Sequence, residues 1–204
     1  MLIKTLVVGP IETNCYVVTN EKTLECVLVD PGDSSATILD YIEDNRLKCE
    51  AVLLTHAHWD HTGALRAVME ETGCDVYVTD MDFNMSVKGE PPFRKLPDEC
   101  KFYGDGDILS IAGLEFHIML TPGHTPGGVT IVCEDAVFTG DTLFRGSCGR
   151  VDLPGGDEET ELRSLKKICL LEGDYEVYPG HGDSSTLQIE RMFNYYCREA
   201  VKNY

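Results

Sequence analysis

Apolar residues come in runs of strand length through the first half of the chain, at 2–8, 15–19 and 25–29. The third run closes on Asp30-Pro31-Gly32, and the three together predict a meander of short strands. Ser34 or Ser35 is placed to cap a helix over roughly 36–46, where Ile38, Leu39 and Ile42 fall three to four apart. Ala51-Val52-Leu53-Leu54 reads as a buried strand ending at Thr55-His56, followed by a helix over about 63–72 and a strand at 76–78. Residues 81–101 show little period and contain Pro91-Pro92 and Pro97, which predicts an irregular excursion over the surface. Strands are expected again at 107–111, 114–120, 128–133 and 136–139, then a Gly-rich loop over 146–156. Helices near 158–170 and 185–198 flank a last strand at 175–178.

Strands in each half, with helices between and after them, suit two sheets packed face to face with helices outside, a four-layer α/β arrangement. No repeat or linker divides the chain, so residues 1–204 are expected to form one domain. Charge narrows the partners. The chain has 17 Lys and Arg against 35 Asp and Glu, a formal net charge of −18, so a polyphosphate meets repulsion and nucleic acid is not expected as a ligand. No apolar run approaches the roughly 18–20 residues needed to span a bilayer, and Gly9-Pro10 breaks the start too early for a signal peptide. Nine scattered cysteines with no Cys-x-x-Cys fit reduced thiols. A soluble, cytoplasmic protein without membrane contact is the expectation.

Six histidines occur, at 56, 58, 61, 117, 124 and 181, and five of them lie in loops just beyond expected strand ends, where a scaffold presents ligands. In Thr55-His56-Ala57-His58-Trp59-Asp60-His61, extended residues two apart point the same way, so His56 and His58 can grip one ion while Asp60 and His61 turn toward a second position. His124, in Thr121-Pro122-Gly123-His124-Thr125-Pro126-Gly127-Gly128, adds another imidazole, and Tyr178-Pro179-Gly180-His181-Gly182-Asp183 supplies the last. Asp141 ends Ala136-Val137-Phe138-Thr139-Gly140-Asp141 with two oxygens that can bridge two cations. The set predicts one site of His56, His58, His124 and Asp141 and a neighbouring site of Asp60, His61, His181 and Asp141, with a hydroxide between the ions. Asp60 and Asp141 take part in catalysis by holding the metals that position that hydroxide. Two such ions lower the pKa of bound water toward ~7 and polarise a carbonyl, the equipment of metal-assisted hydrolysis. Nitrogen and oxygen donors suit Zn first and also admit Fe or Mn.

These residues resemble the metallo-β-lactamase superfamily, in order and spacing, over about residues 2 to 190. Gly140-Asp141-Thr142-Leu143-Phe144 and Gly146-Ser147-Cys148-Gly149-Arg150 resemble its glyoxalase II (hydroxyacylglutathione hydrolase) branch, in particular the short single-domain relatives. The resemblance implies an αββα sandwich of two mixed sheets, a binuclear centre usually of zinc, and hydrolysis of a small hydroxyacyl thioester such as S-D-lactoylglutathione by attack of the bridging hydroxide. A mononuclear iron persulfide dioxygenase is the alternative from another class, since that branch shares the His-x-His-x-Asp-His loop and a loop like Gly149-Arg150-Val151-Asp152. A lactonase or β-lactamase is the other hydrolytic alternative.

Arg150 matches a Lys of the glyoxalase II pattern and can bind a substrate carboxylate through its fork; a salt bridge to Asp152 is the competing use. Asp30 resembles an acidic position of the superfamily and can orient a ligand histidine from behind, or cap its own turn. His117 reads as a plain strand residue, Cys148 as an unactivated thiol, and Trp59 as either pocket wall or packing.

Overall fold

The apolar runs at 15–19, 25–29, 51–54, 128–133 and 136–139 become strands with both faces covered, which is why they show little alternation of apolar and polar residues, whereas those at 2–8, 107–111 and 114–120 keep an exposed face. A computed structural model describes all residues from Met1 to Tyr204. The first half runs β1 (Leu2–Val8), β2 (Thr13–Asn20), β3 (Glu25–Val29), α1 (Ser35–Asp44), β4 (Lys48–Leu53), α2 (Trp59–Thr62), α3 (Leu65–Thr72), β5 (Asp75–Val78), α4 (Asp80–Lys88) and β6 (Lys101–Phe102). The second half runs β7 (Ile108–Ile111), β8 (Leu114–Leu120), β9 (Val129–Cys133), β10 (Ala136–Gly140), β11 (Leu143–Phe144), β12 (Ser147–Cys148), α5 (Glu158–Cys169), β13 (Glu176–Pro179), β14 (Ser185–Thr186), α6 (Leu187–Phe193) and α7 (Tyr195–Asn203).

Each half builds one six-stranded mixed sheet, in the order β1-β2-β3-β4-β5-β6 and β14-β13-β10-β9-β8-β7. In the first, β1, β2 and β3 pair antiparallel as a meander, and β4, β5 and β6 add in parallel. In the second, only the β10 and β13 pair is parallel. The period of two sorts side chains into three apolar layers. Cys15, Val17, Leu28 and Val52 pack with Ile38 of α1 and Val68 of α3. Tyr16, Val18, Val27, Val29 and Leu53 meet Phe116, Ile131 and Phe138 between the sheets. Val137 and Val177 pack with Leu165, Ile168, Leu187 and Cys197 under α5, α6 and α7. The result is the expected helix-sheet-sheet-helix order.

Three local expectations need correction. The stretch from 81 is not wholly irregular: α4 forms because Thr79 caps it, accepting from the Asp82 N–H, and Gly89 ends it at φ 67°. Neither serine caps α1, since Ser34 sits in the left-handed region and donates its hydroxyl to Asp33 Oδ1 at 3.2 Å. The helix expected over 185–198 is two helices, divided at Asn194, whose side chain accepts from the N–H groups of Tyr196 and Cys197 and so starts α7.

Candidate metal centre

All seven candidate ligands lie at strand ends along one edge where the two sheets meet. His56 and His58 follow β4, and His58 is extended at the N-cap of α2, whose first turn carries Asp60 and His61 round to a second position. His124 comes from the β8–β9 connection, Asp141 follows β10 and His181 follows β13. The close approach needs glycine: a Cβ on Gly180 would lie 2.1 Å from Asp141 Oδ1 and 2.8 Å from His61 Cε1.

Two triads converge, His56–His58–His124 and Asp60–His61–His181, each with one ligand atom per residue and all three atoms within 4.8 Å of one another. In the first, His58 Nδ1 and His124 Nε2 are 3.0 Å apart. In the second, Asp60 Oδ2 lies 3.2 Å from both His61 Nε2 and His181 Nε2. Asp141 spans them: Oδ1 is 3.4 Å from His61 Nε2, and Oδ2 is 3.5 Å from His124 Nε2 and 3.6 Å from His181 Nε2.

Hydrogen bonds behind the rings decide which nitrogen faces inward. His61 donates from Nδ1 to Asp30 Oδ2 at 2.9 Å, His124 to the Arg150 carbonyl at 2.7 Å and His181 to the Ile11 carbonyl at 3.1 Å. Thr55 donates its N–H and its hydroxyl to Asp30, and that hydroxyl lies 3.1 Å from His56 Nδ1. Asp30 therefore braces His61 directly and His56 through Thr55, from a left-handed backbone conformation at φ 52°.

Charge is divided unevenly. Burial and the neighbouring histidines push His56 well below its ordinary value, and burial followed by His124 pushes His58 down to about 3. Burial also opposes charge on His61 and His181, but Asp141 and Asp30 raise His61, and Asp60 and Asp141 raise His181. Asp60 and Asp141 are held below the usual carboxylate range by their histidine partners, despite burial.

The donor set fits divalent cations. Buried His56 Nε2, His61 Nε2 and Asp141 Oδ1 have no hydrogen-bond partner, an expensive arrangement unless another group meets them. Imidazole and carboxylate are the donors such ions take. The family model of the metallo-β-lactamase superfamily matches residues 8–181. The chain belongs to the metallo-β-lactamase superfamily, a family of hydrolases. It is 30% identical to the hydroxyacylglutathione hydrolase GloC of Haemophilus influenzae, over 95% of this chain and 97% of that protein. Among solved structures it resembles the B3 metallo-β-lactamase BLEG-1, with a TM-score of 0.86 and 34% identity over 96% of this chain and 99% of that one. It also resembles a protein solved in a di-iron-bound form, with a TM-score of 0.83 and 34% identity over 95% of this chain and 99% of that one.

In this superfamily member His58, Asp60, His124, Asp141 and His181 floor a cleft of about 580 Å³, walled by Ile11, Trp59, Pro92, Phe144 and Leu153. Trp59 is thus part of the wall. The Arg150 side chain reaches the mouth but forks onto Asp152, with Nε and an Nη each at 2.7 Å from an oxygen. Cys148 also lines the cleft, and burial raises its thiol to about 12. His117 lies apart from the centre, exposed on β8.

Two buried carboxyls beside the ligand loops escaped the reading of the sequence. Asp82 accepts from Ala57 and Gly127, and burial raises it to about 6. Its signal was Thr79-x-x-Asp82, the pattern of a helix start. Glu161, on α5, faces the backbone N–H groups of His124 and Gly149 without closing a hydrogen bond, and burial raises it to about 9. Its signal was its place on the apolar stripe of α5, four and seven residues before Leu165 and Ile168.

Proposed function

We propose that this protein is a two-metal hydrolase of small acyl thioesters, of the S-lactoylglutathione type. The observation that carries this reading is Asp141, whose two oxygens face both triads at 3.4–3.6 Å. His56, His58 and His124 with Asp141 would hold one ion, and Asp60, His61 and His181 with Asp141 the other. Zinc is the first expectation; iron suits the same donors, as the di-iron form of the neighbour illustrates. Such a pair, when bound, polarises a carbonyl, lowers the pKa of water and stabilises the charge that develops on the leaving group.

The chain's own residues prepare that chemistry. Asp30, the Arg150 carbonyl and the Ile11 carbonyl take the Nδ1 protons of three histidines, so each presents Nε2 to the centre. The apolar wall of Ile11, Trp59 and Phe144 keeps an acyl group over the triads and thins the water around it. Arg150 meets a substrate carboxylate by exchanging Asp152 for it, and both partners are exposed enough for that exchange. A thiolate leaves readily because a thiol's pKa is only about 8.5, so no general acid is needed on the leaving side. Similarity to a hydroxyacylglutathione hydrolase over nearly its full length supports the thioester side of the reading. The nine free thiols suit work in the reducing cytoplasm.

The test is steady-state hydrolysis of S-D-lactoylglutathione by protein whose metal content has been counted, with Asp141→Ala as the blank. Turnover that depends on two metals per chain supports the proposal. A fully metallated enzyme that cleaves neither this nor any of a broad thioester panel overturns it, and oxygen uptake with glutathione persulfide by a one-iron form replaces it with a dioxygenase.

A further inference from the structure

The first turn of α4 carries no candidate ligand, yet it is pinned between two loops that do. Asp82 is wholly buried there. Its Oδ2 accepts the N–H of Ala57, the residue between His56 and His58, at 2.9 Å. Its Oδ1 accepts the N–H of Gly127, three residues beyond His124, at 2.7 Å. Thr79 completes the joint from the same helix start, donating its hydroxyl to the Gly127 carbonyl at 2.8 Å and accepting from the Asp82 N–H at 3.3 Å. The fit leaves no room for a side chain on the loop, since a Cβ on Gly127 would lie 2.1 Å from Thr79 Oγ1 and 2.7 Å from Asp82 N.

The two loops come from opposite sheets. At their bases, Val129 donates its N–H to the Thr55 carbonyl at 2.9 Å. Nearer the histidines, the Asp82 carboxylate is the joint, with one oxygen for each loop. The other triad is braced elsewhere, by Asp30 behind His61, by the Thr13 hydroxyl 3.4 Å from Asp60 Oδ2, and by Ile11 behind His181.

We propose that Asp82 is a positioning residue that sets the spacing of His56, His58 and His124, so that the ion held by this triad, and not the ion held by Asp60, His61 and His181, depends on it. This rests on the reading of both triads as metal sites. Two acceptor oxygens at fixed separation hold the Ala57 and Gly127 N–H groups in register. An amide at this position offers one oxygen and turns an NH2 donor toward the other N–H, which separates the loops without removing volume.

The experiment is a Zn(II) titration against a competing chelator on the full chain, read as stoichiometry and affinity of each ion rather than as turnover. His181→Ala isolates the first triad and His58→Ala isolates the second. Adding Asp82→Asn to His181→Ala is expected to weaken the remaining ion about 10–100-fold, the range for residues that orient metal ligands. Adding it to His58→Ala is expected to leave the remaining ion unchanged. Thr79→Val, which keeps the carboxylate but loses both the bond to the Gly127 carbonyl and the cap on the Asp82 N–H, should weaken the same ion by less. Equal weakening of both ions, together with a lower melting point of the metal-free protein, means that Asp82 serves general stability and overturns the proposal, as does unchanged binding in every background. Wild-type protein that binds no metal overturns the two-metal reading itself, which separates the two failures.

Discussion

In the His56–His58–His124 half of the centre three imidazoles crowd together, and burial with mutual repulsion keeps His56 and His58 free of protons. In the Asp60–His61–His181 half a carboxylate stands among the rings, and Asp60, Asp141 and Asp30 draw protons onto His61 and His181 in spite of burial. The same side chain is thus held toward its neutral form in one place and pulled toward its charged form a few ångströms away. The placement of carboxylates decides how each half meets a metal: His56 and His58 offer lone pairs readily, while His61 and His181 hold their protons more tightly and give them up against that pull.

Asp141→Ala would erase the contrast, because it removes the one residue that faces both halves. Bound metal is expected to fall from two ions to one or fewer, and turnover by on the order of 10³ or more, read by elemental analysis and steady-state rates on the same sample. A shift of pH should separate the halves. A histidine whose pKa is raised holds its proton until the pH climbs past that raised value, so the affinity of the second half falls as pH falls, by about tenfold per pH unit for each proton displaced. His58, lowered to about 3, does not compete over this range. Metal counts taken as the pH is lowered should therefore show the Asp60–His61–His181 ion leaving first, and simultaneous loss of both ions would break the distinction.

A smaller and lopsided effect is expected of Asp30→Asn, whose single oxygen cannot serve both the Thr55 N–H, now on Oδ1, and the Thr55 hydroxyl and His61, now on Oδ2. It should weaken the Asp60–His61–His181 ion by about 10–100-fold and the other less, since His56 is reached only through Thr55. Chelator competition measures both. Arg150→Ala should change neither ion, because the bond to His124 comes from the Arg150 backbone. It should instead raise KM for a carboxylate-bearing thioester by roughly 3- to 10-fold with little change in kcat. Asp152→Ala, by freeing the guanidinium, should move KM the other way.

The ligands were legible because each sits where an apolar run stops, and a strand that ends on His, Asp or Gly leaves few other uses for the residue. The sandwich was legible for a related reason: the unbroken apolar strands at the middle of each sheet, such as β2, β3, β4 and β10, must be covered on both faces. Helix α4 was not legible because Met81, Phe83, Met85 and Val87 recur every second residue, which is the period of a strand and gives a helix no apolar stripe. That helix is defined by its ends, Thr79 and Gly89, and by what Asp82 holds. The break at Asn194 was hidden because Asn within a run of helix formers does not announce that it will cap the next helix rather than continue the last. Arg150 shows a different limit. Its contact with His124 runs through the carbonyl, and a main-chain group leaves no mark in the choice of residue.

The first sheet contributes His56, His58, Asp60 and His61, and the second contributes His124, Asp141 and His181. An ion seated among them works as a rivet through the sandwich, present only when the two sheets are docked. Each ion supplied at 1,000 times its dissociation constant adds about 4 kcal/mol to the folded state. Loading this centre therefore tightens the joint between the sheets, and stripping it with a chelator should lower the temperature at which they part.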